Sequence, residues 1–146
     1  HSTKYGAMED YLAETVKACG DLGRRSVVQY ESMPRSLKYC DALRGLGAQL
    51  AILPTERRSP GIVPALWKLF RAVDPSVVHT HFSRAHVIGA AATIGRVAGA
   101  GTVISMVHNV HHLTPFSFGR LAYNRCNKVL AVSEAVRRDL LAGGVR

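Results

Sequence analysis

Apolar residues recur along this chain in two alternating rhythms. One is helical, with apolar positions three and four apart. The other is a short apolar run bounded by Gly, Pro or Asp, the mark of a strand buried on both faces. Residues 8–22 carry Leu12, Val16 and Cys19 at helical spacing, with Gly20 and Gly23 as stop signals. Arg25 to Tyr30, around Val27 and Val28, reads as a short strand. Pro34 is placed to open the next helix at its first turn. Leu37, Cys40, Leu43 and Leu46 give that helix its stripe, and Gly45 and Gly47 close it. Ala48 to Leu53 is a second strand, stopped by Pro54.

A polar, basic loop from Thr55 to Gly61 leads to a helix over 62–73, with Leu66, Leu69, Phe70 and Val73 inward and Pro64 in its first turn. Asp74-Pro75 is a turn signal ahead of a strand at 76–82. Residues 84–98 are rich in Ala, Gly, Ile and Val, so that helix is expected to lie flat on a sheet, its small residues permitting close approach. Gly99 and Gly101 end it, and a strand over 102–108 follows. A loop at 109–115, a helix around 116–126 and a strand from Lys128 to Val132 complete the series. Ser133 is placed to cap a last helix, Glu134 suits the positive end of its dipole, and Gly143-Gly144 stops it.

Continuous apolar strands alternating with helices predict an α/β fold: a doubly wound, Rossmann-like parallel sheet with helices on both faces. Such a domain ordinarily begins with a strand that becomes central. Here a helix starts within about eight residues of the N-terminus, so that first strand is expected to be missing and the chain to be part of something larger. At 146 residues, one domain with a real core is expected.

Composition narrows the classes. No apolar run reaches the roughly 18 residues of a membrane span, and the first residues lack the apolar stretch of a signal peptide, which reads as cytoplasmic. Cys19, Cys40 and Cys126 have no CxxC spacing and read as buried free thiols. The net charge of +9 fits an anionic substrate or an anionic membrane surface. The basic residues are scattered and no nucleic-acid motif is present, so nucleic acid is not an expected partner. Helix 62–73 carries Lys68 and Arg71 beside Trp67, a pattern that serves either a solvated basic face or peripheral docking to a membrane.

Candidate chemistry gathers in one region. Six of the seven histidines fall between His79 and His112. His79 and His81 end one predicted strand and share a face of it, and His108 ends another. Ligands of an open parallel sheet bind beyond the carboxyl ends of its strands. Histidines there make a reaction site or a metal site. His-x-His at a strand end can chelate, but no Asp or Glu lies between His79 and His108 to complete a metallohydrolase set.

Four segments, in order along the chain, resemble family 4 glycosyltransferases. Tyr5-Gly6-Ala7-Met8-Glu9-Asp10 is similar to the glycine-rich entry to the family's first helix, with Tyr5 where a second glycine is usual. Asp74-Pro75-Ser76-Val77-Val78-His79-Thr80-His81 resembles its His-x-His stretch, and Val107-His108-Asn109 its next strand-end histidine. Val129 to Leu140, with Ser133-Glu134, resembles its last N-domain strand and the helix after it.

The resemblance implies the acceptor-side, N-terminal domain of a GT-B enzyme. Such an enzyme has two Rossmann-like domains and transfers a sugar, with retention, from a nucleoside diphosphate sugar to an acceptor. It implies a hexosyltransferase-like activity without bound metal or other cofactor, and an isolated fragment that is inactive for want of the C-terminal nucleotide-sugar domain. It places His108 beside the transferred sugar as the catalytic candidate. Gly6, Glu9, His81, His111, Ser133 and Glu134 become substrate-binding candidates, and His79, deeper in the fold, a structural histidine. Two other readings stay open: a non-catalytic Rossmann-like binding module, and a His-rich metal-dependent hydrolase. A dinucleotide oxidoreductase is disfavoured because no G-x-G-x-x-G joins a strand to a helix.

Overall fold

Helix and strand alternate throughout the computed structural model, which describes residues 6–30, 34, 36–53, 61–81, 84–99, 101–114 and 117–146. The elements are α1 (Ala7–Asp21), β1 (Ser26–Tyr30), α2 (Leu37–Gly45), β2 (Ala48–Ile52), α3 (Ile62–Val73) and β3 (Val77–His81). They continue with α4 (Ala85–Ala98), β4 (Thr102–Val107), α5 (Phe118–Tyr123), β5 (Lys128–Ala131) and α6 (Glu134–Ala142). Tyr5, Pro54, the loop at 55–60, Phe82 and residues 115–116, named in the sequence reading, lie outside the described residues.

Every strand pairing among the described residues is parallel, as continuous apolar strands require. The strands are divided between two hydrogen-bonded sheets, β1-β2 and β3-β4-β5. The chain correspondingly falls into two compact units, His1–Glu56 and Arg57–Arg146.

In the first unit β1 and β2 pair in register, Val28 opposite Leu50. Two strands alone bury too little to be stable, so the helices supply the core. Val16 of α1 and Tyr39 and Leu43 of α2 close on Val28 and Ala48. Pro34 does not open α2. Ser36 does, because its Oγ can accept the otherwise orphaned N–H of Tyr39, at 3.2 Å, and Pro34 stays outside the helix.

In the second unit β4 is the middle strand, with His79 opposite Ile104, Thr80 opposite Ser105, and Met106 opposite Leu130. Its side chains alternate: Val103, Ser105 and Val107 are buried, and Thr102, Ile104 and Met106 are half-buried. Val107 joins Ile88 of α4, Ala122 and Tyr123 of α5, and Val136 and Leu140 of α6 in one core. Burial of each such aliphatic side chain contributes about 1.5–3 kcal/mol. The small residues of α4 serve close approach, but to α5: a Cβ on Gly89 would stand 3.5 Å from the Cβ of Ala122. On α3, Ile62, Leu66 and Phe70 are buried, while Lys68 and Arg71 are exposed. Asn127 locks the start of β4 by accepting from the Val103 N–H and donating its own N–H to the Val103 carbonyl, both at 2.8 Å. Among the described residues, no helix is long and apolar enough to cross a membrane.

Candidate functional site

Parallel pairing puts the carboxyl ends of β3, β4 and β5 side by side, and the histidines follow from the register. His79 and His81 sit opposite Ile104 and Met106 of β4, and His108 comes two residues after Met106. Alternation therefore turns all three imidazoles to one face, away from the Val103–Ser105–Val107 core. The ring centroids of His79 and His81 are 4.1 Å apart, and those of His81 and His108 5.8 Å apart. The three form one contiguous cluster. His79 is not deeper than its neighbour, as the sequence reading expected: both are half-buried, and burial weighs more heavily on His81.

The cluster has one electrostatic character. Burial, with repulsion from His79 and His108, lowers the His81 pKa to about 4. Burial lowers His79 in the same sense, with a contribution from His108. Burial alone lowers His108. All three imidazoles are thus held neutral near pH 7, each offering one N–H donor and one nitrogen acceptor. Such an edge suits hydroxyl groups. Among the described residues, no group of three or more His, Cys, Asp or Glu side chains is arranged to hold a metal ion.

The loop after β4 carries the next candidates. His111 and His112 are exposed, with the His111 ring 6.3 Å from the Tyr123 ring. Their side chains do not hold the loop; their backbone does. The His111 N–H donates to Asp139 Oδ2 at 2.8 Å, and the His112 N–H to both Asp139 oxygens at 3.2 Å. The Val132 N–H donates to the Val107 carbonyl at 3.2 Å, which ties the turn after β5 to the end of β4. Ser133 and Glu134 follow that turn. Ser133 Oγ accepts from the Val136 N–H at 3.3 Å, the predicted cap. Glu134 is exposed and receives two bonds from Arg137, at 2.8 and 3.0 Å, which hold its carboxyl below the usual range.

Gly6 and Glu9 belong to the first unit. Gly6 is the residue before α1, and Glu9 folds back over it: a Cβ on Gly6 would meet Glu9 Oε2 at 2.5 Å. The Glu9 carbonyl accepts from the Tyr39 hydroxyl at 3.1 Å, which anchors the first turn of α1 to α2.

One group at the edge escaped the sequence reading, and another was placed differently. His79, expected to be a structural histidine deeper in the fold, lies against His81 with the two rings tilted by 44°. Asp139 was passed over although a signal existed. It falls between Val136 and Leu140, the two buried residues of α6, and a carboxylate beside a buried stripe must find donors.

The model of Glycosyltransferase Family 4 matches residues 8–146. No curated protein and no solved structure matches the chain. The matched span takes in both parallel sheets, the imidazole edge and α6. The chain therefore belongs to Glycosyltransferase Family 4.

Proposed function

We propose that this chain is the N-terminal, acceptor-side domain of a retaining GT-B glycosyltransferase whose donor is a nucleoside diphosphate sugar. Membership of the family gives the transferase chemistry in general. The observation that carries the finer reading is the edge of neutral imidazoles at the carboxyl ends of β3 and β4, where open parallel sheets receive ligands.

His108 stands beside the sugar that is transferred. Glycosyl transfer builds positive charge on the sugar ring as the leaving group departs. A neutral imidazole can turn its acceptor nitrogen or its ring toward that charge, whereas a protonated one would oppose it. Burial of His108 favours the neutral form, and His81 beside it resists protonation more strongly. His81 and His111 contact substrate hydroxyls. Ser133 and Glu134 border the same edge, their side chains occupied by the cap and the Arg137 pair. At the start of α1 the free backbone N–H groups would attract an anion. The Glu9 carboxylate over Gly6 already fills that space, so this end of the helix suits an acceptor hydroxyl better than a phosphate.

The test is His108→Ala in the full-length enzyme, with nucleoside diphosphate release from a UDP- and GDP-sugar panel as the readout. Loss of a positioned group should lower turnover by ~10²-fold or more with the fold intact. Unchanged turnover removes His108 from the site.

A further inference from the structure

The loop from His108 to Leu113 has no regular structure, and its central side chains, Asn109 to His112, are exposed. Something other than side-chain packing must fix its path. Asp139 of α6 does so. Its side chain is only 13% exposed, and its two oxygens take the consecutive N–H groups of His111 and His112. Two successive N–H groups converge on one anion when the backbone bends through the left-handed region. His112 makes that bend, with φ 47°, a conformation that L side chains rarely adopt. The His112 imidazole contributes little to the clamp, being 89% exposed with Nδ1 3.7 Å from Asp139 Oδ1.

One turn further along, α6 holds the end of the loop. A Cβ on Gly143 would lie 2.6 Å from the Cβ of Leu113 and 3.2 Å from its carbonyl oxygen, so glycine is what lets the loop seat there. Leu113 itself packs on the Ile88–Val107–Leu140 core. The segment that begins at His108 is therefore fixed at two adjacent points by one helix.

We infer that Asp139 is a positioning residue of the transferase site: through the backbone of residues 111 and 112 it sets where His108 and His111 stand at the sheet edge. Its carboxylate is committed to the loop and does not touch substrate. The inference rests on the reading that His108 faces the sugar. A displacement of about 1 Å at a reacting centre can cost of order 10²-fold in rate, so a clamp this close to His108 has kinetic weight.

The experiment compares Asp139→Ala and Asp139→Asn in the full-length enzyme. Its readouts are amide hydrogen exchange at His111 and His112, the His108 ring resonances, and kinetics of nucleoside diphosphate release from UDP-glucose and GDP-mannose. Asp139→Ala should speed exchange at the two amides by at least about tenfold and move the His108 resonances. It should lower kcat about tenfold or more with donor KM within about twofold. Asp139→Asn keeps an acceptor oxygen and should recover most of both effects, which a general loss of stability would not permit. Native exchange at both amides overturns the clamp. Faster exchange with unchanged kcat, in an enzyme that His108→Ala inactivates, overturns the positioning role. If His108→Ala is itself silent, the transferase reading of His108 fails, while the exchange and resonance data still decide the clamp. Should Asp139→Ala not fold, Gly143→Ala disturbs the same loop from Leu113 and supplies the same readouts.

Discussion

His81 makes stability depend on pH in a direction and window that the structure sets. Its pKa is near 4 in the folded chain against an ordinary 6.5. Between these values the unfolded chain binds a proton that the folded chain refuses. The His81 contribution is therefore complete above pH 6.5 and is lost progressively as pH falls toward 4. A gap of 6.5 − 4, about 2.5 pH units, at about 1.4 kcal/mol per unit sets a ceiling of about 3.5 kcal/mol. Water reaches part of the ring, so screening leaves about half of that, ~1.7 kcal/mol, of which the two pH units between 6.5 and 4.5 carry ~1.4 kcal/mol. With a urea m-value of about 2 kcal/mol/M for a domain of this size, the urea midpoint should fall by about 0.7 M between pH 7 and pH 4.5 on account of His81. His79 and His108 act in the same direction. Carboxylates also begin to titrate at the acid end, so the comparison is with His81→Asn, which cannot take the proton. The variant should lose at least half of the wild-type pH slope between 6.5 and 4.5. Identical slopes, or a His81 resonance that titrates with a midpoint above 6, would refute the reasoning.

Two more substitutions test the scaffold under the site. Ser105 is 1% exposed, and among the described residues its Oγ has no hydrogen-bond partner. Ser105→Ala should therefore be neutral or stabilising by up to about 1 kcal/mol in urea denaturation, and a loss beyond about 1 kcal/mol would show that the hydroxyl is bonded in solution. Ser133→Ala removes the cap of α6 and should cost about 1 kcal/mol in the same assay. A change within about 0.3 kcal/mol would mean that Glu134 and Arg137 hold the helix end without it.

Much of this architecture was legible because local signals agreed with one another. α3 lies where its 3.6-residue pattern put it, from Ile62 to Val73, because Gly61, Pro64 and Asp74-Pro75 mark its ends from both sides. Pro34 misled, since proline fits a first turn but supplies no acceptor, and the neighbouring Ser36 does. The partition of the strands into two sheets was not readable, because pairing depends on contacts far apart in sequence. The site divides the same way. That His79 and His81 share a face follows from alternation alone. That His108 joins them depends on the pairing of His81 with Met106, a register the sequence does not announce. Asp139 was visible only as an anomaly, a carboxylate on the buried stripe of α6, whose donors come from residues 27 and 28 positions earlier.

The closeness of the three imidazoles limits what each can do. With centroids 4.1 and 5.8 Å apart, a proton on one ring opposes a proton on the next, and burial opposes all of them. A general acid or base works best with a pKa near the working pH. His81, at about 4, is too weak a base and too rarely protonated to serve as either near neutrality. Its chemistry there is hydrogen bonding. His108 differs in one respect: its lowering comes from burial alone, at the open end of β4, and a ligand can change that burial. An acceptor or sugar bound at the edge would dehydrate His108 further and strengthen whatever hydrogen bond it makes. On the transferase reading proposed above, His81 therefore acts on substrate as a hydrogen-bonding group, and His108, its loop held from α6, is the imidazole whose environment a bound sugar changes.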